Sequence, residues 1–174
     1  PVQEYGPHIF HTHDYSIWDY VNRFARFLPY DGGFGEKHQG VPVNGYNELI
    51  EGLLKDIPTA TGVSYQKLMN TFPDIADNVI YTGAIGGFFE YKFGHLDYKS
   101  RRYELEELEQ EDFQGQAIVE LLDDPEQCAR IIEYKHLTGA NSPKTIIARE
   151  YLEEWIPGRL MCAPLGGERN ENLL

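Results

Sequence analysis

Tyr5-Gly6-Pro7-His8-Ile9-Phe10-His11-Thr12, leading into Ile17-Trp18-Asp19-Tyr20-Val21, is the stretch on which the reading of this chain turns. It reads as an extended segment followed by an amphipathic helix. Val2 to Thr12 is the expected strand and its exit. Asp14 or Ser16 can cap the helix, because a short polar side chain satisfies a backbone N–H left open in the first turn. Ile17, Tyr20, Val21, Phe24 and Phe27 or Leu28 recur at helical spacing and define its apolar face. Pro29 is expected to stop the helix, since proline lacks the N–H that a helix interior needs.

Beyond Pro29, Asp31-Gly32-Gly33-Phe34-Gly35 is a glycine-rich connection. Val41-Pro42-Val43-Asn44-Gly45 reads as a turn into a helix over Tyr46–Leu54, with Leu49, Ile50, Leu53 and Leu54 inward. Asn78–Gly83 reads as a buried strand ending in glycine, and Ile85–Tyr91 as a short helix. Arg102–Glu109 is expected to be a strand with one solvated face. The acidic run from Glu104 to Asp112 suits a sheet edge, where charge discourages further pairing. Ala117–Leu122, Ala129–Glu133 and Thr145–Tyr151 read as further strands. The polar tail from Gly166 is expected to fray. Strands mixed with a few helices give an α/β class with an α+β tendency: a mixed, largely antiparallel sheet with flanking helices.

With 174 residues, 41% of them apolar, the chain can bury the core of one domain. A formal net charge of -13 excludes non-specific nucleic-acid binding, because phosphates are repelled. Any polyanionic ligand therefore needs local Arg or Lys. Cys128 and Cys162 lie far apart and form no metal spacing, which suits reduced thiols and a cytoplasmic location. No apolar run approaches the ~20 residues of a membrane span. Pro1-Val2-Gln3-Glu4 has neither the basic start nor the apolar core of a signal peptide, and the chain reads as a fragment.

Six segments in order resemble the UDP-galactopyranose mutase family. The opening stretch is similar to its flavin-side segment. Phe34–Pro42 with Gly45-Tyr46 resembles its "KYQG-P-GGY" passage, and Val79–Ile85 its "IYTGPID" strand-turn. Asp112–Ala117 resembles "DFQGNAV", Arg130–His136 resembles "RIIEHKHF", and Arg149-Glu150-Tyr151 resembles "REYS". The resemblance implies the family's reaction, in which reduced flavin acts as a covalent catalyst interconverting the pyranose and furanose forms of UDP-galactose. It implies FAD as cofactor, a nucleotide sugar as ligand and a homodimer as a state of association. By the same resemblance Gly6, Pro7, His8, Phe10 and His11 face the flavin, while Arg26, Tyr81, Lys99, Arg130 and Glu150 line the substrate side. Residues 1–29 are then the strand-helix remnant of the flavin domain and 30–174 the mutase-like sheet domain.

The chain departs from the pattern at specific places. No G-x-G-x-x-G follows a strand, so the turn that cradles a pyrophosphate is missing. The helical insertion before Gly40 and the C-terminal flavin segment are missing as well. Lys99 stands where the family's "YRSLRFE" segment has its diphosphate-gripping arginine, which keeps the charge but loses the planar fork. Ala163 and Gly33 fall where the family has diphosphate-contacting tyrosines. These omissions predict that the chain alone is inactive, and they support an alternative reading as a degenerate binding or scaffolding module. His8, His11 and His13 match no zinc spacing, so no metal site is assigned. Trp18 is expected to be a core residue.

Overall fold

A computed structural model describes residues 6–32, 37–121, 128–156, 158–160 and 162–171. Two antiparallel sheets carry the fold. The smaller combines β1 (Phe10–Thr12), β2 (Phe27–Pro29) and β3 (His38–Pro42) in the order β1-β3-β2. The larger combines β4 (Tyr98–Leu108), β5 (Ile118–Glu120), β6 (Arg130–Glu133), β7 (Thr145–Glu154) and β8 (Ala163–Pro164) in the order β5-β6-β7-β4-β8. Short helices flank them: α1 (Tyr15–Asn22), α2 (Tyr46–Leu54), α3 (Tyr65–Thr71), α4 (Ile85–Phe88), α5 (Tyr134–Thr138) and α6 (Glu168–Glu171). The result is an α+β arrangement of largely antiparallel strands, as the mixture of strand and helix segments in the sequence predicts.

The N-terminal unit forms for local reasons. Asp14 caps α1, its Oδ1 accepting from Ser16 N at 2.7 Å. That hydrogen bond also holds the Asp14 carboxyl below its usual pKa. The buried helical face is Trp18, Val21 and Phe24, one residue round from the expected Ile17 and Tyr20, which are 47% and 48% exposed. The helix also ends early, at Asn22. Asn22 Oδ1 accepts from Phe27 N, and Phe27-Leu28-Pro29 pairs with β3 instead of continuing the helix. Pro29 thus closes a strand, where its missing donor is harmless at an edge. The division expected at residues 29 and 30 runs through this sheet, since β1 and β2 both pair with β3.

The larger sheet has a small core on one side, built from Val41, Ala117, Ile132, Tyr134, Leu137 and Ala148. Gly139, at φ +65°, takes the left-handed conformation that terminates α5 and packs on Leu28. β4 pairs with β7 from Lys99 to Leu108 but with β8 only at Tyr98 and Lys99. Its acidic half therefore has a free side among the described residues; Arg102 answers Glu104 along β4 itself, while Arg149 on β7 and Lys144 just before it answer Glu106 and Glu107.

Three expectations are corrected. Asn78–Gly83 is not a buried strand: it has no sheet partner among the described residues, and Ile80 is 89% exposed. Apolarity marks a strand only where another strand can take its backbone hydrogen bonds. The tail does not simply fray. Asn170 is buried, accepts from Asp97 N at 2.9 Å and donates to the carbonyls of Asp97 and Leu165. The extended opening segment is strand only from Phe10 to Thr12, with residues 1–5 outside the described range. Three helices went unforeseen: α3, capped by the Ser64 hydroxyl, α5 and α6. Gly33–Gly35 and Leu122 also lie outside the described residues.

Candidate functional site

One face of the larger sheet gathers the charged groups. Arg130, Glu150 and Tyr103 sit opposite one another on β6, β7 and β4. Side chains alternate across a strand, so Lys99 and Arg101 share that face with Tyr103, while Arg102 points the other way. Glu150 is only 2% exposed, and its charge is matched from both sides. Arg130 Nε and Nη2 each approach Oε2 at 2.7 Å, and Arg101 Nη1 lies 3.1 Å from Oε1. A buried carboxylate requires such partners, because desolvation without them is prohibitive. Burial works against the charge on Arg101, but Glu150 and the Tyr103 hydroxyl carry its pKa above the ordinary value. Burial, then the charge of Glu150, raises Tyr103. Burial, reinforced by Tyr103 and Glu150, pushes Tyr134 up to about 12. The tyrosines stay neutral, so the cluster is two guanidiniums around one carboxylate, with hydroxyls beside them.

The opening stretch lies against this cluster. Gly6, at φ +88°, is buried so tightly on the Tyr103 ring that a Cβ would stand 2.3 Å from the Tyr103 hydroxyl. No other residue fits there without displacing Tyr103. A cleft of about 610 Å³ opens nearby, bordered by Arg130, Tyr30, Asp31, Gln116, Glu120 and His136.

The other expected site residues lie elsewhere. His8 is exposed, with its carbonyl accepting from Tyr46 Oη at 2.8 Å and its ring edge-on to Tyr46. Pro7 is half-buried and His11 exposed. Phe10 packs with Trp18 and Phe27 in the smaller sheet's core. Arg26 is exposed between α1 and β2, its carbonyl accepting from Val43 N. Tyr81 belongs to an aromatic cluster with Tyr65 and Phe88, its hydroxyl donating to Ala84 O. Tyr103 and Tyr134 were not among the residues assigned from sequence, while Arg101 was one of two neighbouring arginines, with Arg102, that could line an anionic pocket; its place on the Tyr103 face of β4 decides between them. A second constellation was passed over. Asp112, Glu133 and His136 bring ligand-type atoms within 4.8 Å of one another. Both oxygens of buried Glu133 already accept, from Phe113 N, Gln114 N and the Thr145 hydroxyl, and hold the 112–115 turn to β6.

A family model described as UDP-galactopyranose mutase matches residues 20–174. The chain belongs to the UDP-galactopyranose mutase family. It is 29% identical over 133 residues to a dTDP-fucopyranose mutase of Escherichia coli, covering 73% of this chain and 35% of that protein. It is 28% identical over 128 residues to a probable UDP-galactopyranose mutase of Klebsiella pneumoniae, covering 73% and 33%. A UDP-galactopyranose mutase of Mycoplasma genitalium is 30% identical over 125 residues, covering 64% and 30%. The chain spans about a third of the length of these relatives.

Against the family's pattern, two of the departures meet in space. Lys99 and Ala163 are direct cross-strand partners between β4 and β8. FAD, which the family implies, finds no complete site among the described residues. A dinucleotide needs a helix N-terminus free to receive its diphosphate. Of the helices of eight residues or more, α1 is capped by the Asp14 carboxylate and α2 carries Glu48 in its first turn. Both ends repel an anion, and the residues present do not fit the whole cofactor.

Proposed function

We propose that the chain supplies the substrate-side face of a nucleotide-sugar mutase. Arg130, Arg101 and Glu150 bind and orient a nucleoside diphosphate sugar there. The relatives named above act, by their names, on UDP-galactopyranose and dTDP-fucopyranose. Base and sugar differ between them and the diphosphate is common. The observation that carries the reading is the buried Glu150 carboxylate held between two arginines on one sheet face. Glu150 is positioned toward the sugar and the guanidiniums toward the phosphates. The family's ring interconversion is the reaction this face serves. The chain alone is inactive, because its described helix ends give the flavin diphosphate no purchase.

UDP-galactose titrated by calorimetry should bind weakly and more weakly still as salt rises, because the contacts are ionic and partly exposed. Absence of heat at low salt would overturn the reading. The alternative, a degenerate binding module, is favoured by one observation: the paired Lys99 and Ala163 positions lack the family's arginine and tyrosine. Restoring the family's side chains separates the two readings. Tighter UDP-galactose binding by the Lys99→Arg, Ala163→Tyr double variant would support a substrate face, whereas unchanged binding would support the degenerate module.

A further inference from the structure

We infer that Asp112, Glu133 and His136 form a binding site for a divalent transition-metal ion, zinc or manganese by its donor set, which staples the 112–115 turn to β6 and α5. The site is separate from the arginine face and from the ligand proposed for it. Asp112 lies in the loop between β4 and β5, Glu133 ends β6 and His136 belongs to α5. One ligand atom from each lies within 4.8 Å of the other two, a grouping found nowhere else among the described residues. His136 Nε2 is 3.2 Å from Asp112 Oδ2 and 3.4 Å from Glu133 Oε2. These are the edges of a coordination shell: bonds of about 2.0–2.2 Å to nitrogen and oxygen space neighbouring ligand atoms about 3–3.5 Å apart.

The direction of the imidazole favours an ion over a hydrogen bond. Both contacts are short enough for hydrogen bonding, yet the buried Nε2 has no hydrogen-bond partner. A hydrogen bond needs its acceptor near the N–H axis, whereas ligands of a shared ion point at the ion and lie off one another's axes. Charge gives a second reason. Glu133 is fully buried, and neither it nor Asp112 has an arginine or lysine partner among the described residues. A buried carboxylate needs a countercharge, and a divalent cation matches the two carboxylates. Glu133 is also held as a ligand should be, since outer hydrogen bonds fix a ligand's orientation. Phe113 N is shared between its oxygens, Gln114 N donates to Oε2 at 3.0 Å and the Thr145 hydroxyl to Oε1 at 2.7 Å. Asp112 and His136 border a cleft of about 500 Å³, with room for water to complete the shell. Two carboxylates and an imidazole suit zinc or manganese better than calcium or magnesium, which prefer oxygen ligands alone.

The test is calorimetric titration of Zn2+ and Mn2+, with Mg2+ for comparison, into chelator-stripped protein: wild type, Asp112→Asn and His136→Gln. Melting temperatures with and without Zn2+ accompany each titration. The wild type should bind a single Zn2+ and melt higher with it. Each variant should bind it on the order of 10-fold or more weakly, since even outer partners of a metal ligand are worth that much, and should gain less in melting temperature. Asp112→Asn keeps the Oδ1 that accepts from Gly115 N at 2.6 Å, so the turn retains its own hydrogen bond. It decides the matter if His136→Gln does not fold. Unchanged affinity in either folded variant overturns the inference, because the ion then sits elsewhere, as on the exposed His11 or Cys162. Mg2+ binding as tight as Zn2+ overturns it too, since the imidazole would then not be a ligand. So does the absence of Zn2+ and Mn2+ binding by the wild type, or an equal rise in melting temperature in all three proteins.

Discussion

Glu150 is the residue whose environment most constrains this molecule, because an almost fully buried carboxylate is stable only with its two arginines in place. Removing one side of a buried ion pair leaves the other uncompensated and costs about 3–5 kcal/mol. Arg101 is partly exposed, so Glu150→Ala belongs at the low end of that range in urea unfolding. A shift near zero would mean that water already reaches the arginines. Tyrosines give the pH dependence. Burial pushes both Tyr46 and Tyr134 up to about 12. An unfolded tyrosine titrates near ~10, so the folded state keeps these protons longer than the unfolded state does. Their contribution to stability is fully present below pH ~10 and is lost as the pH rises through the folded values. Melting temperature should therefore fall across that window, and the Tyr46→Phe, Tyr134→Phe double variant should fall less steeply. Identical curves for the two proteins would refute the assignment.

At the scale of elements, α1 is held to the smaller sheet through Trp18. Its ring lies 6.2 Å from Phe10 and 5.3 Å from Phe27, centroid to centroid, and stacks with His38 at 6.0 Å. Trp18→Ala should cost about 3 kcal/mol, the lower end for truncating a large aromatic, because the residue is only half-buried. A near-neutral result in thermal unfolding would show that the helix docks through Val21 and Phe24 alone. The strand-like sequence Val79-Ile80-Tyr81 shows the converse. Its composition is that of a strand, but Ile80 is exposed and the segment pairs with neither sheet. Tyr81 instead turns toward Tyr65 and Phe88.

For the whole molecule, distant parts of the chain are joined by a few polar ties rather than by a large core. Asn170 is the clearest: it satisfies both backbone groups of Asp97, 73 residues earlier. Asn170→Ala would leave those groups without their partner, at about 1–3 kcal/mol. Limited proteolysis should then cut the C-terminal tail faster than in the wild type, and an unchanged cleavage rate would show that the tie does not hold the tail. By contrast, the exposed pairs along β4 contribute little each and weaken with salt. No described helix is long and apolar enough to cross a membrane.

What the sequence determined by itself was whatever depends on neighbours along the chain. A helix start at Asp14 or Ser16, the bounds of α2 and the strand character of β4 and β7 all follow from local spacing. Family membership was also legible, because ordered motifs survive without a structure. Tertiary structure decided what depends on partners. Phe27–Pro29 became a strand because β3 offered hydrogen bonds that a longer helix could not match. Asn78–Gly83 stayed out of the sheets because none was available to it. Lys99 met Ala163, and Arg101 met Glu150, only through cross-strand register. Registers of this kind are fixed by backbone pairing between segments far apart in sequence, which local composition does not encode.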